Sequence, residues 1–579
     1  MKKVFELSRD DSQGKVLPLS EAIRQAIRPG MKLHVSLGND PNAAVREIMR
    51  QFWGRGPRFT LIAGGVTTVN LISLIHCRLV EKVITSNCSF TYPVPRPIPL
   101  IQEAEKKGIV KIESWTLNSL EQRLMAGALG TGFMPTRSIA GSSLAEANGD
   151  SFKMVNDPFG GTGEIGLLKA LEPDLALVHG YAADSYGNTI LLPPYFTSLW
   201  GPRASKNGVI VTVEKLVTPK FIREHGSLVK IPGHLVRSVS VVPFGAHPQG
   251  SIGRSIGMDD GYTEDYDFII DYQKASRHSD TLDAWLQEWV SGCPTQDDYL
   301  RKLGTERLSA LREKAKTDVQ EEQIEIVAPS AEPSSAEMMA VAAARAITKK
   351  VRETGHKTML TGIGIPGLAA WLAYYLLREE GYHVDLLTGT GLVGYEPRPG
   401  DPFLMTPANL MTCRMLTDTV EVYGTFVGGA QNKCLSVLGA AQIDKYGNIN
   451  TTKIDDMFFI GPGGAGDAIN AAETLVVAQQ SPKRLVEKVP FVTCPGTGVR
   501  TLVTNLGVFE KLGEDKDFTL TRYFAGGIPS SRDSKISAIK EQCGWDLRVA
   551  TDPGEVAMPT TEELAILRSL DPQGFFIRK

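Results

Sequence analysis

Cysteine is scarce, with seven in 579 residues, at positions 77, 88, 293, 413, 434, 494 and 543. No two form a CxxC pair and no histidine cluster flanks any of them, so neither a disulfide framework nor a zinc site is expected. They read as small buried hydrophobes. Strong charge of one sign is missing too. Lys and Arg number 62 against 65 Asp and Glu, for a net charge of −3. That balance argues against a nucleic-acid partner held by a broad basic face. Long apolar runs are also lacking: the longest, 368–377, is about half of what a membrane span needs. Residues 1–11 break into charge at Glu6, Arg9 and Asp10 before a signal core forms. The expectation is a soluble cytoplasmic protein with no membrane partner. Apolar residues at 42% and charged residues at 22% suit a globular chain. Its length favours about three to four domains. Glycine (57) and proline (34) are in slight excess, which points to tight turns and close backbone approaches.

Continuous β-rich runs at 59–63, 175–179 and 209–213 predict buried parallel strands. Helical spacing at Val45, Ile48, Met49 and Phe52 lies between the first of these and a short strand at 33–37. A helix at 20–27 stops at Pro29-Gly30. Such alternation predicts an α/β fold with mostly parallel sheets. A charged helical stretch at 281–316 leads to a linker candidate at 317–336, which ends in a capping box at Ser334–Glu337. The early pattern then restarts: helix, Gly355, strand at 357–361, glycine turn at 362–366, helix at 368–377. Asp184, Tyr186, Gly187 and Asn188 return in the same order as Asp444, Tyr446, Gly447 and Asn448. The chain therefore reads as two related halves, with domains at 1–280 and 337–579 around a helical segment and linker at 281–336. The repeated Asp-x-Tyr-Gly-Asn element reads as turn chemistry of a shared scaffold.

Specific stretches resemble the family I coenzyme A transferases. They lie at 132–137, 172–179 and 183–188 in the first half, and at 438–444 and 446–450 in the second. Gly461-Pro462-Gly463-Gly464-Ala465-Gly466-Asp467 is similar to the family's GxGGAxD loop, and 506–510 and 570–572 match its β side. The resemblance covers nearly the whole chain and is greatest to the glutaconate-transferase-like branch, which includes ring-cleaving hydrolases. It implies fused α-like and β-like subunits with open, NagB/RpiA-like sheets. It also implies acyl-CoA as substrate, coenzyme A only as part of that substrate, and no tightly bound cofactor or metal. In the family a glutamate at the end of a β-half strand attacks the thioester and carries CoA as a glutamyl thioester. Here that position falls on Gly389, after the strand at 384–388. This departure implies CoA-thioester-dependent hydrolysis, C–C cleavage or decarboxylation. A transferase using another carboxylate, such as Glu396, and a non-catalytic acyl-CoA-binding relative are the alternatives. The second substrate is then a carboxylate acceptor or water. The oligomeric state stays open, a homo-oligomer included.

Site candidates follow from residue chemistry. Gly362, Gly364, Gly389, Thr390 and Gly391 form turns at strand ends, where open α/β sheets bind ligands and bare amides meet phosphate or oxyanion. Gly461, Gly463 and Gly464 are expected to lie against CoA or the acyl group, with Asp467 closing the loop. Gln442 is expected to donate to a thioester carbonyl. Arg137 is placed as a partner for a carboxylate or phosphate. Glu113 and Glu121 are candidate general bases, and Asn39 is a candidate oxyanion donor. Trp115, Phe133 and Tyr395 permit a bulky or cyclic acyl group.

Overall fold

The computed structural model describes residues 14–161, 163–316, 332–455, 457–524 and 531–578. The N-terminal residues 1–11, where charge interrupts any signal core, and most of the linker candidate lie outside them. The capping box that closes the linker is formed. Ser334 accepts from the Glu337 amide at 3.1 Å and the Glu337 carboxylate accepts from the Ser334 amide at 2.7 Å.

In the first half, strands β1 (Lys32–Val35), β2 (Phe59–Ala63), β3 (Val80–Thr85), β4 (Lys111–Ser114), β5 (Leu175–Ala183), β6 (Val209–Leu216) and β7 (Val236–Val241) form a parallel sheet. Its order is β4-β3-β2-β1-β5-β6-β7. All nine residues of β5 are buried, as expected for a central parallel strand covered on both faces. In the second half, β8 (Thr358–Thr361), β9 (Asp385–Leu387), β10 (Leu392–Tyr395), β11 (Met415–Leu416), β12 (Cys434–Gly439), β13 (Glu473–Val477) and β14 (Val499–Val503) lead into three further strands up to Val556. Here the parallel core runs β9-β8-β12-β13-β14. That order repeats β2-β1-β5-β6-β7 strand for strand. The halves differ at both edges: β3 and β4 extend the first sheet where the antiparallel β10 and β11 extend the second, and three further strands continue the second sheet beyond β14 where the first ends at β7.

The repeated turn is built identically in both halves. Asp184 Oδ1 accepts from the amides of Tyr186 and Asn188 at 3.1 and 2.9 Å, and Asp444 does so from Tyr446 and Asn448, both at 3.0 Å. The Asn188 side-chain carbonyl then accepts from the Gly233 amide at 2.9 Å, and that of Asn448 from the Gly496 amide at 2.8 Å. The Asp and Asn side chains of the motif are engaged in holding the backbone, so its role is structural.

Three helices reach the space between the halves: α1 (Leu117–Leu129), α2 (Ser335–Thr354) and α3 (Ile365–Glu379). Met339, Ala343, Ile347 and Val351 of α2 share a core with Leu368, Ala369 and Leu372 of α3. The charged helical stretch folds as Ser279–Leu286, Gln296–Leu303 and Thr305–Lys316 around a short Gln287–Ser291 turn. Its Leu282, Leu286, Val290 and Tyr299 pack into the core of the first half.

Candidate active site

In each sheet the strand order reverses once, between β1 and β5 and between β8 and β12, and a reversal opens a crevice at the strand ends. The two crevices face one another. Leu37, Gly64, Gly65 and Asn87 from the first half meet Gly362, Thr388, Gly439 and Ala478 from the second around one cavity of about 1130 Å³.

The turn after β9 forms its floor. The Gly391 amide donates to the Thr388 carbonyl at 3.1 Å, and the Thr419 hydroxyl donates to the Gly389 carbonyl at 2.9 Å. Thr388 and Thr390 pair their hydroxyls at 2.8 Å. Above this turn lies Tyr423, which sequence reasoning missed. It belongs to a π-helical segment, Glu421–Val427, in which the Gly428 amide donates to the Tyr423 carbonyl at 3.0 Å. Such segments often occur at functional sites. A Cβ on Gly389 or on Gly464 would overlap the Tyr423 hydroxyl. Two glycines thus make room for one phenol. Burial, with the Asp467 carboxyl and the Cys434 thiol nearby, holds its pKa well above the ordinary value. The hydroxyl therefore keeps its proton. No motif marks Tyr423 in the sequence; the only signal was the absence of side chains at the two glycines.

The glycine loop 461–467 is docked onto the first half by its backbone. The Gly463 amide donates to the Ser86 carbonyl at 3.0 Å, and the Leu117 amide donates to the Gly463 carbonyl at 2.9 Å. Asp467 completes the clamp by accepting from the Ser138 hydroxyl at 2.8 Å and the Asn118 amide at 2.9 Å. Burial raises its pKa to about 7 despite these bonds. Between the halves, Phe196 lines the cavity with φ of 44°. Such a conformation is uncommon for a bulky residue.

The cavity walls differ in character. One end is apolar, with Met339, Leu404, Met405, Phe575 and Phe576. The other carries Gln442, Lys483 and Arg484. The Gln442 side chain is fixed at both ends, donating to the Lys483 carbonyl at 3.3 Å and accepting from Asn450 at 2.8 Å. Lys483 and Arg484 are exposed. Among the described residues they are the only cationic side chains lining the cavity, and exposed Asp455 is the only carboxylate.

The structure brings Gly362, Gly364, Gly389, Thr390, Gln442, Gly461, Gly463 and Gly464 together around this cavity. Gly391 stands just behind it with φ of 112°. The other candidates lie elsewhere. Glu113 is held by Lys82, Arg123 and the Trp115 indole. Burial pushes its carboxyl up, but these partners outweigh that and hold it below the ordinary range. It is a structural ion pair and not a free base. Glu121 is buried on α1 with neither carboxyl oxygen bonded. Burial and the nearby Asp418 push its pKa well up, and it does not line the cavity. Glu396 is on the outer edge of the second sheet, 2.9 Å from Arg378. The Asn39 amide is consumed by the backbone of Leu192, to which it donates and from which it accepts, each at 3.0 Å. Arg137 is exposed and donates to the Gly428 carbonyl at 3.3 Å. Phe133 is exposed, whereas Trp115 and Tyr395 are core residues. None of these lines the cavity.

Residues 16–241 match the family described as Coenzyme A transferase. One of the two subunits of the glutaconate CoA-transferase of Acidaminococcus fermentans is 28% identical over 321 residues, covering 52% of this chain and 94% of that protein. The acyl-CoA transferase of E. coli O157:H7, solved as a thioester complex with CoA, spans 94% of this chain and 95% of its own with a TM-score of 0.65. At 16% identity that is a likeness of fold alone. One of the two subunits of the 3-oxoadipate CoA-transferase of Pseudomonas knackmussii is 31% identical over 259 residues, 41% of this chain and 93% of its own length. The chain belongs to the coenzyme A transferase family.

Proposed function

We propose that this enzyme turns over an acyl-CoA thioester without forming a glutamyl-CoA intermediate, by hydrolysis, C–C cleavage or decarboxylation of the acyl group. The observation that carries this reading is the occupant of the space above Gly389. By resemblance, the family's nucleophilic glutamate falls on this residue, and here that volume belongs to the Tyr423 phenol. No glutamate lines the cavity among the described residues, and Glu396 is turned away from it.

The walls suit the two ends of such a substrate. Lys483 and Arg484 offer charge to CoA phosphates. Gly463, whose missing side chain leaves open space, lets the thioester arm lie close, and the apolar end receives the acyl group. Coenzyme A enters as part of the substrate. A thioester carbonyl acidifies its α-carbon, so an enolate can form with no covalent enzyme intermediate once its oxygen is stabilised. Among the three routes decarboxylation asks least of this site, because loss of CO₂ leaves the enolate without an enzyme base.

Incubating the protein with a panel of acyl-CoA thioesters tests the reading. Free CoA or a shortened acyl-CoA is expected, with the intact mass of the protein unchanged. A CoA adduct that maps to a glutamate would instead establish a transferase with its nucleophile elsewhere.

A further inference from the structure

We propose that Tyr423 is a catalytic residue of this site, its hydroxyl donating a hydrogen bond to the carbonyl oxygen of the bound thioester. The proposal rests on the acyl-CoA reading and supplies its oxyanion donor. Four observations converge on it. First, the hydroxyl is seated between two facing glycine turns, at Gly389 and Gly464, and Tyr423 lines the cavity together with both. Second, no hydrogen bond of its hydroxyl is seen among the described residues, and the residue is only 6% exposed while lining the cavity. A buried polar group normally finds a partner, and leaving one unmade costs about 1–3 kcal/mol. A ligand carbonyl would complete it. Third, the neighbouring hydroxyls are already engaged: Thr388 with Thr390, and Thr419 with the Gly389 carbonyl. Fourth, the supporting turn is rigid. The Glu421 amide donates to Asp418 at 2.8 Å and the π-helical bond closes behind Tyr423. A donor fixed in this way stabilises developing negative charge without reorganising. The proton stays on the phenol oxygen throughout, and no bond to the enzyme is made.

Tyr423→Phe in the full chain keeps the ring above both glycines and removes only the donor. The binding probes are acetyl-CoA and its thioether analogue S-ethyl-CoA, which lacks the carbonyl. Wild-type protein is expected to bind the thioester about fivefold more tightly than the thioether. The variant is expected to lose that preference with thioether affinity unchanged. For any thioester the wild type turns over, kcat should fall roughly 100-fold, well beyond a rise in KM of about fivefold that the weaker thioester binding predicts. A variant that keeps both the preference and the turnover overturns the proposal. Should it not fold, the carbonyl stretch of ¹³C-labelled acetyl-CoA on the wild type decides: a shift to lower frequency supports the donor, and no shift overturns it. Wild-type protein that binds neither probe sinks the acyl-CoA reading itself, whereas binding without thioester preference sinks only the donor.

Discussion

At the scale of single residues, the informative position is one with no side chain. Gly389 and Gly464 are bare because Tyr423 occupies the space between them. Gly389→Glu alone should therefore overpack the site and lower stability by about 1–3 kcal/mol, read as a lower urea midpoint. Combined with Tyr423→Ala, the glutamate gains room to face the thioester. The double variant is expected to accumulate a CoA adduct by intact mass that the single variant lacks. A single variant as stable as wild type would show that the phenol does not hold that space. The carboxylates fared worse as sequence candidates. Glu113, Glu121 and Glu396 were chosen for chemical type, but a carboxylate's role depends on what surrounds it. An ion pair claims Glu113, burial away from the cavity leaves Glu121 without a partner, and an outward-facing edge removes Glu396 from the cavity.

At the scale of elements, glycine turns were legible because they follow strands and precede helices in the chain. Gly364 caps α3 as the pattern at 362–366 implied, and the 461–467 loop is a docking loop. The strand at 59–63 and the end of α2 near Gly355 are seen as expected. Lys483 and Arg484 were not legible. Two adjacent cations after a strand look like any solvated turn, and only folding brings them beside Gln442. Replacing both with alanine is expected to weaken binding of free CoA about tenfold, measured by calorimetry. The loss should be larger at low than at high ionic strength, because exposed charge is screened by salt. An unchanged affinity would place the CoA phosphates elsewhere.

For the whole molecule, the junction of the halves carries a pH dependence. Buried Asp40 and half-buried Glu264 of the first half lie close to each other, with Asp401 of the second half beside Glu264. Burial first, and this crowding next, raises Asp40 and Glu264 to about 7. Between about pH 4 and 7 the folded protein then holds protons that the unfolded chain has lost. The stability these two groups contribute falls as pH rises through that window and levels off above it. The slope is about 1.4 kcal/mol per pH unit for each such group. The imidazoles of His34 and His247, lowered by burial to about 3 and about 4, act with the opposite sign within this window, and Asp265 and Glu214, whose partners hold them low, do so in more acid solution. Asp40→Asn or Glu264→Gln should therefore raise the urea midpoint at pH 8 relative to that at pH 5, compared with wild type. A difference that both variants leave unchanged would rule out this cluster as its origin.

The sequence by itself determined the duplicated α/β organisation. Strand runs, glycine stops and the twice-used Asp-x-Tyr-Gly-Asn turn are local patterns, and local patterns survive being read along a line. By resemblance it also assigned the family's nucleophile position to Gly389, which has no side chain, and the proposed function starts from that assignment. Only the tertiary structure decided what stands there instead. Tyr423 reaches Gly389 and Gly464 from an element distant in the chain, and the cavity exists only where two crevices meet face to face. Contacts of that kind depend on how the sheets pack, which no spacing along the chain encodes.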